Sequence, residues 1–265
     1  TELNGGQPKL TSIYGEKGLR DPFLIRSPEG DTFYLIATDL SIGRDGDWGR
    51  AQTQGSKYIE IWESHDLVTW SDQRHVKIAP DNVGNTWAPE AYYDDSTGQY
   101  VVFWAASRFA DDDPRHTGSY YQTMMYATTL DFVTFSEAKV WQDFGASRID
   151  STVIKDGGTY YRFTKDEGSV TGCRDIIEES SDSLMAVDDR SVAGWSAQNA
   201  AWTLVDSCIG RDAGTGAVEG PTIFAANDGD TSGSKYYLFV DEYGGWGIIP
   251  LLRDNMDLPQ WEGAP

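Results

Sequence analysis

Three observations predict an all-β fold of the β-propeller type: one strand-turn-strand pattern recurs four times, aromatic residues close the repeats at near-constant steps, and no helical periodicity interrupts them. In the first copy Asp21-Pro22-Phe23-Leu24-Ile25 leads to a turn at Pro28-Glu29-Gly30-Asp31 and returns through Phe33-Tyr34-Leu35-Ile36. An apolar strand, a Gly/Asp turn and an aromatic return strand are the composition of a β-hairpin. The second copy runs from Ala88-Pro89 through Tyr92-Tyr93 and a turn at Asp95-Ser96-Thr97-Gly98 to Tyr100-Val101-Val102-Phe103-Trp104. The third runs from Asp150-Ser151-Thr152-Val153-Ile154 over Asp156-Gly157-Gly158 to Tyr160-Tyr161-Arg162-Phe163. The fourth pairs Glu219-Gly220-Pro221-Thr222-Ile223-Phe224 with Tyr236-Tyr237-Leu238-Phe239-Val240 across a Gly/Asp/Ser-rich loop.

A second pair of strands follows each hairpin, and its ending repeats as well: Asp66-Leu67-Val68-Thr69-Trp70, Asp131-Phe132-Val133-Thr134-Phe135 and Asp257-Leu258-Pro259-Gln260-Trp261, with a looser version around Asp182 and Trp195. Trp70, Phe135, Trp195 and Trp261 follow one another at steps of 65, 60 and 66 residues, so each unit holds about four short strands, the size of a propeller blade. A β-sandwich of look-alike hairpins is the alternative that this spacing disfavours. Residues 1–20 supply at most a strand or two of a fifth blade, so either the ring closes with four blades or its last blade is incomplete in the sequence. No linker divides the 265 residues, and a single domain over 1–265 is expected.

A formal charge of −21 repels phosphate backbones and anionic lipid surfaces, which argues against nucleic-acid and membrane partners but leaves a neutral polymer acceptable. No run of 18 apolar residues exists to span a bilayer, and the chain opens on Thr1-Glu2-Leu3-Asn4, the expected start of an exported protein whose signal has been removed. Cys173 and Cys208 either close one loop of about 35 residues or pack as two separate thiols.

In a propeller the innermost strands all start on one face around the axis, so matched repeat positions converge although they are distant in sequence. Aligning the four inner strands places Asp21, Ala88, Asp150 and Glu219 at, or within a residue of, the same strand start. Singly, an Asp-Pro or Glu-Gly pair reads as turn chemistry. Three acids at one matched position are expected to shift one another's pKa values, and a protonated acid opposite an ionised carboxylate is what cleavage of a glycosidic bond needs. On the same rim, Trp48, Trp87, Phe109, Tyr243 and Trp246 are candidate platforms for sugar rings, Trp87 foremost. Arg20, Arg108 and Arg148 are candidates for bonding hydroxyls or holding a carboxylate ionised, solvated surface charge being the other reading of Arg108.

These motifs resemble glycoside hydrolase family 43, and the match spans nearly the whole chain. The resemblance implies a five-bladed β-propeller that hydrolyses arabinose- or xylose-containing polysaccharides with inversion. It implies Asp21 of Asp21-Pro22 as general base, Asp150 as the pKa-modulating aspartate and Glu219 of Glu219-Gly220-Pro221 as general acid. Trp87-Ala88-Pro89-Glu90 is similar to the second-blade motif, which more often ends in Asp. The usual Arg/His-containing strand of a fifth blade has no counterpart after Trp261, and His65, His75 and His116 all precede that region. We therefore expect a secreted, monomeric α-L-arabinofuranosidase acting on arabinan or arabinoxylan, with β-xylosidase and endo-arabinanase next. A non-catalytic carbohydrate-binding propeller and a retaining fructan-active enzyme are the rivals. No cofactor is required and no metal-ligating residue is assigned. A structural calcium ion is allowed, with Asp111-Asp112-Asp113 as its candidate cluster against a reading as a solvated acidic loop.

Overall fold

The computed structural model describes residues 3–168, 170–230 and 233–263. The first sheet contains β1 (Leu19–Arg26), β2 (Phe33–Asp39), β3 (Tyr58–Ser64) and β4 (Arg74–Lys77), each hydrogen-bonded antiparallel to the next. The second contains β5 (Trp87–Asp94), β6 (Gln99–Ser107), β7 (Gln122–Thr129) and β8 (Lys139–Asp143). The third is built from β9 (Ile149–Asp156), β10 (Thr159–Lys165) and β11 (Ile176–Ser181). The two-residue β12 (Asp188–Asp189) then pairs parallel to β8, and β13 (Thr203–Asp206) returns to close the third sheet on β11. The fourth consists of β14 (Glu219–Ala225), β15 (Tyr236–Glu242), β16 (Gly247–Arg253) and β17 (Glu262–Gly263). Four blades of a β-propeller are thus present, each starting within two residues of its expected inner strand.

Two departures from the sequence reading have local causes. The resemblance implies five blades, whereas the described residues form four sheets. Before β1, the backbone hydrogen bonds of Ile13 and Glu16 go to the side chains of Gln73 and Asp39, each at 2.8 Å, and not to a strand ladder. Two short helices also appear where none was indicated. The first, α1 (Trp48–Thr53), is capped by Asp47, whose carboxylate accepts from the Arg50 backbone N–H, and α2 (Ile209–Asp212) follows Cys208.

The chain divides into two compact units. One comprises Thr1–Val102, Ala106–Tyr120 and Ala127–Ala138, the other Phe103–Ala105, Tyr121–Tyr126 and Lys139–Pro265. In the first, β5 lies alongside β1 and β2; in the second, β14 lies alongside β9 and β10. Within each unit, therefore, inner strands of successive blades are neighbours. The first unit buries Ile36, Ile59 and Ile61, stacks Phe132 on Tyr34 at 4.4 Å and packs it tilted against Tyr100 at 4.8 Å. The second buries Phe163, Ile176, Leu238 and Leu251 around Trp261.

The repeated ending of the blades has a physical origin. Asp66 accepts backbone N–H bonds from Val68 and Thr69, and Asp131 accepts the same pair from Val133 and Thr134. The residue after each Asp, Leu67 or Phe132, takes a left-handed φ of 60° or 53°. These bonds hold the Asp66 carboxyl down at about 2 and lower that of Asp131 too. Cys173 and Cys208 form a disulfide with 5.8 Å between their Cα atoms. Closing a 35-residue loop in this way contributes about 2–4 kcal/mol in the chain-entropy view.

Candidate active site

Each acid-bearing strand opens on a β-bulge. In β1 the register passes from Arg20 opposite Thr38 to Phe23 opposite Ile36, so Asp21 and Pro22 face a single residue. In β9, Ile149 faces Lys165 and Ser151 faces Thr164, which makes Asp150 the extra residue. In β14, Glu219 faces Asp241 and Thr222 faces Phe239. At these irregularities Asp21, Asp150 and Gly220 adopt φ values of 48°, 50° and 54°, and Ala88, at the matching start of β5, has 46°. A left-handed conformation is costly for a residue with a side chain, and Asp tolerates it better than most. The shared conformation fixes the alignment of the repeats: Gly220 is the counterpart of Asp21 and Asp150, and Glu219 stands one position earlier. Bulges re-aim the side chains beside them, and here they do so at every acid.

In the first unit, Thr38 of β2 joins two inner strands. Its buried hydroxyl accepts the Ala88 backbone N–H at 2.8 Å and donates to Asp21 Oδ2 at 3.1 Å. Loss of hydration pushes the Asp21 carboxyl above the ordinary carboxylate value, and the Arg20 charge and the Thr38 hydroxyl pull partly back. Asp21 as a whole residue nonetheless keeps a solvent-accessible surface. The Arg20 guanidinium lies 5.5 Å from the ring centre of Trp48, whose ring meets Trp87 edge to face at 5.9 Å. Trp48 sits at the start of α1 and is about half exposed, so Arg20, Trp48 and Trp87 form one accessible aromatic and cationic surface.

In the second unit, the Gly220 backbone N–H donates to Asp150 Oδ2 at 3.2 Å, which brings the third-blade acid and the Glu219-Gly220 corner together. Asp150 and Glu219 are both half-buried. Tyr243 and Trp246 project from the turn after β15, Trp246 with 90% of its surface exposed. Glu242 anchors that turn by accepting the Trp246 backbone N–H at 2.8 Å and, from the approach to Glu219, the Gly216 N–H. These two bonds hold the Glu242 carboxyl below its usual range.

Two expected site residues lie elsewhere. Arg148 is 2% exposed, its guanidinium 3.0 Å from Glu179 and over the Phe144 ring at 3.6 Å, so it serves a buried ion pair and does not reach a ligand. Phe109 is buried, stacked on His116 at 4.4 Å and packed on Tyr120 at 5.0 Å, and offers no open face to a sugar. Arg108, next to it, forms an isolated bridge with Val83 and is half-buried. In the acidic run, Asp113 closes its own loop by accepting backbone N–H bonds from Thr117 and Gly118, and Asp111 accepts from the side chain of Asn82, which precedes β5.

Among the described residues, Asp39, Glu60 and His75 bring their ligand-type atoms within 4.8 Å of one another. Donors already occupy them: His75 Nδ1 lies 2.6 Å from Glu60, Gln73 donates to Glu60, and the Glu16 N–H donates to Asp39. Burial raises both carboxyls. Thr38, Glu242 and this cluster were not singled out from the sequence. Of the three, only Thr38 carried a signal, since it lies on the return strand opposite a strand start already chosen.

Blades of four antiparallel strands, with inner strands adjacent and acids on their opening bulges, define the chain as a β-propeller protein. It belongs to the glycosyl hydrolase 43-related family, whose model, described as a probable glycosyl hydrolase domain, matches residues 1–265. An α-L-arabinofuranosidase of Bifidobacterium longum subsp. longum is 38% identical over 262 residues, covering 91% of this chain, and the chain spans 24% of that relative's length. Among solved structures, the GH43_1 enzyme from Xanthomonas citri complexed with xylotriose superposes with a TM-score of 0.63 at 16% identity, covering 97% of this chain and 76% of that one. The α-L-arabinofuranosidase from Lactobacillus brevis gives 0.58 at 16%, covering 97% and 74%. These two likenesses establish the shared fold.

Proposed function

We propose that the chain is the catalytic propeller of an inverting glycoside hydrolase that removes α-L-arabinofuranosyl groups from arabinan or arabinoxylan. The observation that carries this reading is the recurrence of one left-handed bulge at the strand starts bearing Asp21, Asp150 and Glu219. Glu219 protonates the leaving glycosidic oxygen, Asp21 takes a proton from the attacking water, and Asp150 holds and tunes the acid. One water is consumed, one bond is cut, and no cofactor enters. Tyr243, Trp246 and the Arg20–Trp48–Trp87 surface supply faces for sugar rings. The arabinose preference rests on the name of the 38% identical relative, with β-xylosidase and endo-arabinanase as the neighbouring specificities. Export, a monomeric state and a fifth blade completing the ring belong to the same proposal.

Proton NMR of the first sugar released from an aryl α-L-arabinofuranoside tests it. The β anomer should appear first and then mutarotate. Initial release of the α anomer would replace inversion with retention, and binding without turnover would favour a lectin.

A second measurement concerns Asp21. A base works only when ionised, and burial raises its pKa, so the acid limb of the kcat/KM profile is expected above the ordinary 3.8. Thr38→Val removes a hydrogen bond that lowers that pKa and should move the limb to still higher pH. A limb that stays put, or moves down, would disconnect Asp21 from it.

A further inference from the structure

We infer that Lys165 is a positioning residue that sets the place of Glu219 relative to Asp150, an inference that rests on the general-acid role proposed above. Lys165 ends β10 and is fully buried. Its ammonium donates to the carbonyl of Val218, the residue immediately before Glu219, at 2.6 Å and to the carbonyl of Arg174 at 2.9 Å. The Tyr243 ring centre is 5.6 Å away. Among the described residues Lys165 forms no ion pair, and two backbone carbonyls and the Tyr243 ring face its charge. A buried ammonium without a carboxylate partner is a costly choice, and two carbonyl acceptors explain it only if the segments they belong to must be held.

Both segments bear on the site. The Lys165 backbone lies opposite Ile149, at the very bulge that makes Asp150 the extra residue. Its side chain reaches across to the last peptide before Glu219, while Arg174 follows Cys173, which is tied to Cys208 ahead of the same segment. From the other side, Glu242 grips the Gly216 N–H. Lys165 therefore belongs by its backbone to the strand that presents Asp150 and by its ammonium to the approach to Glu219. Removing the ammonium leaves two carbonyls without their donor and frees residue 218 to shift, and a displacement of about 1 Å in a reacting group costs on the order of 10²-fold in rate.

The test separates this role from general support by using the leaving group. An arabino-oligosaccharide needs proton donation, whereas an aryl arabinoside with a strongly acidic phenol leaves without it. Lys165→Met should lower kcat on the oligosaccharide by about 10²-fold with KM within about threefold, and lower kcat on the activated aryl substrate by less than about fivefold. Glu219→Gln, run beside it, should show the same selectivity with a larger loss. Equal losses on the two substrates, or none, would overturn the positioning role. Loss of selectivity in Glu219→Gln itself would overturn the acid assignment on which it stands. If Lys165→Met does not fold, as judged by circular dichroism, Lys165→Gln takes its place: a smaller loss confined to the oligosaccharide, or none, fits the N–H donor that it keeps, and equal losses on the two substrates overturn the role.

Discussion

Glu219→Gln is expected to lower kcat on an arabino-oligosaccharide by about a hundred- to ten-thousand-fold while leaving the thermal midpoint within a degree or two of the parent, the range that loss of a general acid brings. The substituted amide keeps the shape and hydrogen-bonding reach of the acid but carries no proton that it can release to a departing oxygen. Glu219 is half-buried, and the fold of the second unit is held by the apolar cluster around Trp261 and by Lys165 and Glu242. Activity and stability should therefore separate cleanly. Asp21→Asn should produce a comparable fall that does not depend on the leaving group, because activation of water is needed for every substrate. An oligosaccharide rate within fivefold of the parent in either variant would remove that residue from the mechanism. A fall accompanied by a large loss of stability would recast it as structural.

How much of this could be read from the residues differs from feature to feature. The blades were legible because their markers are local: Asp66-Leu67-Val68-Thr69 and Asp131-Phe132-Val133-Thr134 each fold into the same carboxylate-capped turn, so the chemical repeat and the structural repeat coincide. The strand starts were legible for a similar reason, since Pro22, Pro89 and Pro221 each follow a left-handed residue and mark one strand-start position. Glu219 was placed only to within a residue, because Gly220, and not Glu219, is the left-handed residue of its bulge. Side-chain direction was the weaker inference. Arg148 stands two residues before Asp150, yet its backbone N–H bonds to Gln122 and its guanidinium turns inward to Glu179. Phe109 follows β6 at the expected rim but is taken up by His116 and Tyr120. In the third repeat, β12 left its own blade to pair with β8, which explains why that repeat looked loose around Asp182 and Trp195. Partners distant in sequence decide the cases of Arg148 and β12, and the packing of a loop on itself decides that of Phe109; a repeat pattern contains no information about either. The cysteine pair was open for the same reason: spacing gives the loop length but not the 5.8 Å approach.

Glu179→Gln is expected to destabilise the protein by about 3–5 kcal/mol, the range found when one partner of a buried ion pair is removed. Glu179 of β11 accepts from Arg148 at 3.0 Å and from Arg162 at 2.8 Å, all three side chains being almost wholly buried. Asp188 lies 3.6 Å from Arg162 and is buried as well, so two cations are balanced by two carboxylates. Burial alone raises the Glu179 carboxyl, but the charges of Arg148 and Arg162 outweigh it and leave the pKa below its ordinary value. Arg162 responds the other way: burial between Trp141 and Trp202 pulls it down to about 10. Neutralising Glu179 leaves two guanidinium groups facing one carboxylate in a site that water does not reach, which is why the loss should exceed that of any exposed pair such as Lys77–Asp81. The sign with pH follows from the lowered pKa. Between the ordinary value of 4.5 and the folded value below it, the unfolded chain binds the proton that the folded chain refuses, so this stabilisation is complete above 4.5 and fades as pH falls through the folded pKa. Chemical denaturation at pH 7 and at pH 3 measures both statements: the gap between parent and Glu179→Gln should be wide at pH 7 and narrower at pH 3. A gap under 1 kcal/mol at pH 7 would mean that the two arginines find other partners on relaxation. Pairing Glu179→Leu with Arg162→Met should then recover part of the loss, because it restores the balance of one buried cation, Arg148, to one buried carboxylate, Asp188.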